Sequence, residues 1–68
     1  MFKYDVNIHF NNFGWDEYEV NASCVDMAIL IALKRVINEL SEQESHKIDL
    51  VKVYKHKTDK ILKTYYIE

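Results

Sequence analysis

The chain has 68 residues and a formal net charge of −2, with 49% apolar residues, one Gly, no Pro and one Cys. That apolar share excludes a disordered chain; no apolar run is long enough to span a bilayer; a lone cysteine excludes an internal disulfide. One domain covering residues 1–68 is expected, near the lower size limit for independent folding, where a chain buries only roughly 60% of its unfolded surface.

The slim stability margin of such a chain favours dimerisation or docking on a partner. The opening Met1-Phe2-Lys3-Tyr4-Asp5 goes straight into strand pattern, so no signal peptide is expected, and the cysteine usage suits a reducing, cytoplasmic setting. Charge is unevenly spread. Residues 1–45 carry three cations against eight acids, and residues 46–68 carry six lysines against three acids. The fold is therefore expected to be electrically polar.

Phe2, Tyr4, Val6, Ile8 and Phe10 alternate with Lys3, Asp5, Asn7 and His9. Period two over nine residues predicts a strand with its even positions inward. Asn11-Asn12-Phe13-Gly14 reads as a turn, because Asn and Gly tolerate positive φ. Trp15 to Ala22 reads as the return strand, with Tyr18, Val20 and Ala22 inward and Glu17, Glu19 and Asn21 outward. Phe13 and Trp15 either fold over the core edge or form an exposed anchor.

Ser23 to Leu40 predicts one amphipathic helix, the element the strands are expected to cover. Ser23 is a suitable N-cap and Asp26 stands at capping-box spacing. Val25, Ala28, Ile29, Ala32, Leu33, Val36, Ile37 and Leu40 share one face. Ala28 and Ala32 let that face sit close to a sheet. Cys24, Met27 and Ile31 fall on the far side, with Leu30 at the boundary. These four are either scattered surface residues or a patch that meets another chain.

Gln43 to Lys47 reads as a polar connection, and Ile48 to His56 as a third strand of mixed parity. Val51 and Val53 agree, while Ile48 and Leu50 fall opposite, which calls for a bulge or an edge approach. Lys57-Thr58-Asp59-Lys60 reads as a hairpin turn before a fourth strand, Ile61 to Ile67. A two-residue loop at Thr58-Asp59 puts Leu62, Thr64 and Tyr66 against the helix. Lys52, Tyr54, His56, Ile61, Lys63 and Tyr65 then face away. A longer loop reverses the fourth strand. The fold class is α+β: ββαββ, a four-stranded antiparallel sheet with one helix on one face.

No catalytic or metal constellation is legible. Cys24, His9, His46 and His56 are too scattered for a ligand signature, and surface histidines are the expectation. Cys24 near a helix start lacks an oxyanion donor or a Gly-rich loop. Asp16, Glu17 and Glu19 lack a cleft and read as a solvated face. No cofactor is expected. Lys52-Tyr54-His56 with Lys63-Tyr65 interleaves cations and rings as single-strand nucleic-acid binders do, but arginine and the RNP motif are missing and the net charge is negative.

Tyr18-Glu19-Val20-Asn21-Ala22-Ser23, followed by Ala28 and Ala32 and a closing hairpin, resembles several small phage-encoded ββαββ proteins, some anti-CRISPR inhibitors among them. Antitoxin domains of the HicB type begin similarly but add a third strand before the helix. The resemblance implies a non-enzymatic protein that blocks a larger machine, such as a host CRISPR-Cas effector, by docking on it. It carries over no contact residue. The expected partner surfaces are Cys24, Met27, Leu30 and Ile31 on the helix and Lys52, Tyr54, Lys63 and Tyr65 on the sheet. The alternatives are a self-associating structural module, a homodimer among them, and a weak single-stranded nucleic-acid-binding sheet. No membrane partner is expected.

Overall fold

The alternating segment Phe2–Phe10 forms strand β1 in a computed structural model that describes residues 1–11, 14–40 and 48–67. Gly14–Ala22 forms β2, Val25–Leu40 helix α1, Ile48–Lys55 β3 and Ile61–Tyr66 β4. The four strands form one antiparallel sheet in the order β2-β1-β3-β4. The α+β, ββαββ architecture read from the sequence is the one observed. Phe13 and the 43–47 connection lie outside the described residues.

β1 is central because its even side chains are the most apolar run in the chain. Tyr4, Val6, Ile8 and Phe10 are buried, together with Val20 and Ala22 of β2 and Val51 and Val53 of β3. Gly14 opens β2 at φ +108, a conformation that L side chains rarely adopt. The mixed parity of β3 resolves as a bulge. His9 pairs with Leu50 and Phe10 with Ile48, so Asp49 is the extra residue. Ile48 then packs on the core and Leu50 shares the other face with His9.

The helix covers this core through Ala28, Ile29, Ala32 and Val36, all buried. Its first backbone bond runs from the Ala28 amide to the Cys24 carbonyl, so Cys24 rather than Ser23 takes the cap position. Asp26 turns away from the cap to meet Lys63, Nζ to Oδ1 2.7 Å. The expected stripe is also rolled. Ile37 is 71% exposed, whereas Ile31, expected on the far side, packs partly against the core. Two ties hold the helix over β2: Arg35 Nη1 donates to the Glu19 carbonyl at 3.0 Å, and Tyr18 Oη donates to Glu39 Oε1 at 3.1 Å. The helix packs on β2, β1 and β3 and leaves most of β4 beyond its edge.

Burial, reinforced by the Glu39 carboxylate, pushes the Tyr18 phenol up to about 12. A raised folded pKa gives stability that is full below the ordinary tyrosine value of about 10 and is lost as pH rises through the folded value. Urea melts are therefore expected to weaken between about pH 10 and pH 12, and Tyr18→Phe to remove that slope.

β3 and β4 are joined by five residues that leave Ile61 opposite Tyr54 on the open side, and a bulge at Leu62 then reverses the facing of the rest of the fourth strand. Val53 pairs with Lys63 and Val51 with Tyr65, while Tyr54 pairs with Ile61, leaving Leu62 as a bulge. Lys63 and Tyr65 therefore lie on the helix side, opposite to the facing a two-residue loop gives. Thr64 and Tyr66 take the open side with Lys52 and Leu50. The loop closes through a Thr58 amide to Lys55 carbonyl bond of 3.0 Å, with Lys57 at φ 58.

Candidate functional site

The offset of α1 toward β2 leaves a groove of about 380 Å³ between the helix and β4, lined by Asp26, Ile29, Leu30, Leu33, Lys63 and Tyr65. Leu30 is 60% exposed and Tyr65 48% exposed, so the walls are apolar and open. The Asp26–Lys63 ion pair bridges helix and strand there. The Asp26 carboxylate holds the Lys63 ammonium above the usual lysine value, so Lys63 stays charged at neutral pH. On the helix side, this groove brings together residues that sequence reasoning assigned to two separate surfaces.

The remaining candidates divide. Cys24 and Met27 are exposed on the helix, and Ile31 is partly buried against the core. Lys52 and Tyr54 stay on the open sheet face. There Trp15 is 49% exposed; it stands edge-on to His9, centroids 4.8 Å apart, with the Lys52 ammonium 5.6 Å from its ring centre. Trp15 is thus a ledge on the open face and does not fold over the core.

His9 and His56, expected as free surface groups, are both paired, and His46 lies outside the described residues. His9 Nδ1 lies 2.7 Å from Asp49 Oδ1, and His56 Nδ1 lies 2.9 Å from Asp5 Oδ1. His56 Nε2 is a further 3.2 Å from Glu19 Oε2. Asp5 also accepts the Lys57 amide at 2.9 Å, so it anchors the β3–β4 loop to β1. Burial of the Asp5 carboxyl works to raise its pKa, but the His56 and Lys57 hydrogen bonds outweigh it and leave the group below 3.8. Sequence reasoning missed these pairs because they form between strands about 40 residues or more apart.

Asp5, Glu19 and His56 offer ligand atoms that lie within 4.8 Å of one another. The two ring nitrogens of His56 face different carboxylates, and one ion can take only one of them. With both nitrogens protonated, the three groups satisfy each other as a clamp across β1, β2 and the loop. Between the two histidine pairs, Asn7 Oδ1 is buried without a hydrogen-bond partner among the described residues.

No family model, characterised protein or solved structure matches this chain. The ββαββ topology agrees with the resemblance drawn from the sequence, at the level of topology alone. No helix among the described residues is long and apolar enough to cross a membrane.

Proposed function

We propose that the chain is a non-enzymatic protein-binding module that docks on a larger assembly through the α1–β4 groove. The observation that carries this reading is the groove itself, with Leu30 and Tyr65 exposed on facing elements beside a strand the helix does not cover. Exposed aliphatic and aromatic side chains around a concave seam are the usual anchors of a protein interface. Such a module acts by occlusion. The phage or mobile-element inhibitor reading, with a host complex such as a CRISPR-Cas effector as target, adds to this the topological resemblance.

Nucleic acid fits the surfaces less well. The open face keeps Lys52 and Tyr54 but sets them among Asp5, Glu17, Glu19 and Asp49, and moves Lys63 and Tyr65 to the other side. A phosphate backbone there meets carboxylates.

Tagged protein incubated with bacterial lysate is expected to retain one stoichiometric complex and to inhibit its activity. Leu30→Glu with Tyr65→Ala is expected to cut retention at least tenfold, on the order of one to two lost anchors. No retained complex, or equal retention by the variant, overturns the reading. A fluorescent single-stranded oligonucleotide bound at low salt moves the assignment to the open face.

A further inference from the structure

We propose that β4 pairs antiparallel with β4 of a second copy of this chain, about a two-fold axis through Thr64, joining two sheets into one of eight strands. β4 is an edge strand, hydrogen-bonded on one side to β3 and paired with nothing on the other among the described residues. Its exposed apolar side chains flank both faces: Ile61, Leu62, Tyr65 and Tyr66, the last 74% exposed. An edge lysine normally wards off such pairing. Here Lys63 is folded back onto Asp26 at 2.7 Å, which holds its ammonium on the helix side and off the strand edge, and the strand has no proline.

Charge and facing select the partner and the register. A two-fold perpendicular to the sheet keeps the faces matched, so opposed residues share a side. Centred on Thr64, the pairing sets Thr64 against the partner's Thr64 and Lys63 against the partner's Tyr65. Both members of the second pair lie on the helix side. Threonine pairs are favourable cross-strand neighbours, and the aliphatic stem of Lys63 offers the partner's tyrosine ring an apolar surface. Centring on Lys63 opposes two ammonium groups, and centring on Tyr65 shortens the overlap. The other edge is excluded for self-pairing, because β2 carries Asp16, Glu17 and Glu19 and no cation. Pairing β2 with β4 of another copy is head-to-tail and does not close.

The seam is small against the ~800 Å² per partner of a standard interface, so the dimer is weak, populated near about 100 µM and sparse near about 1 µM. Its Lys63–Tyr65 pairs lie on the helix side at the rim of the α1–β4 groove, so the two readings share Tyr65. Thr64 and Ile61 line no part of the groove, so cross-linking there tests the dimer apart from docking.

Sedimentation equilibrium over that range tests it. The mass is expected to rise from 8.2 kDa toward twice that value and no further. Tyr65→Lys, which opposes Lys63 with a second ammonium, is expected to weaken the dimer at least tenfold while leaving the far-ultraviolet spectrum unchanged. Thr64→Cys on a Cys24→Ser background is expected to oxidise to a linked dimer, since Cα atoms opposed about the axis fall within disulfide reach; Ile61→Cys is expected to link far more slowly. A constant mass of 8.2 kDa overturns the proposal. So does growth past the dimer, which signals β2-to-β4 polymers, and so does a Tyr65→Lys dimer of unchanged affinity.

Discussion

Ile8→Ala is expected to cost about 3 kcal/mol, within the range for emptying a buried aliphatic site. Ile8 is fully buried on the central strand, flanked in the ladder by Asp16 and Val51. The cavity cannot close by settling of the helix. Ala28 and Ala32, both fully buried, already bring the helix backbone close to the sheet. A chain of 68 residues has roughly 3–10 kcal/mol of stability in all, so the substitution removes a large part of it. The urea midpoint is expected to fall by roughly 2–3 M for a slope near 1 kcal/mol/M. Leu30→Ala, on the exposed flank, is expected to stay within about 0.5 kcal/mol. If the two costs were reversed, the buried face of the domain would be assigned wrongly.

Asp5→Asn is the second large effect, and its signature is pH. The substitution replaces a carboxylate that accepts both His56 Nδ1 and the Lys57 amide. Hydrogen bonds to a charged group contribute about 2 kcal/mol, and the Asp5 side chain is only 15% exposed. The folded pKa of Asp5 is depressed, so its contribution is present above the ordinary carboxylate value and is lost as pH falls through the folded value. Wild-type stability is expected to decline below about pH 4. The variant is expected to be weaker at neutral pH and flatter in acid, so the two curves converge toward about pH 2. Urea melts across that range decide it. A gap of equal size at both ends would mean that the carboxylate charge contributes nothing.

Much of the fold could be read from local pattern. The nine-residue alternation of β1 and the helical periodicity of α1 each dictate their own conformation, and each element is found along the chain where the pattern puts it. Two decisions lay outside any local pattern. The facing of β4 beyond Ile61 depends on a bulge at Leu62, a position that no Gly or other turn residue marks. The roll of α1 depends on Arg35 and Glu39 reaching β2, contacts that periodicity along the helix does not encode. The site inherits both decisions. Leu30 and Tyr65 meet only because the helix leans one way and the strand faces the other. The histidine pairs were illegible for a related reason, since they need β1 and β3 to be neighbours, which strand order alone reveals.

The placement of β1 between β2 and β3 also governs how the chain is made. Val6 finds its partner Val53 only after most of the sequence exists. Until then, the hairpin and helix of the first forty residues present the most apolar strand as an open edge. Contacts so distant along the chain slow folding, and an exposed edge of this kind invites aggregation. Any intermediate in which β3 has not yet docked therefore carries β1 as its most adhesive edge, and docking of β3 is the step that closes it.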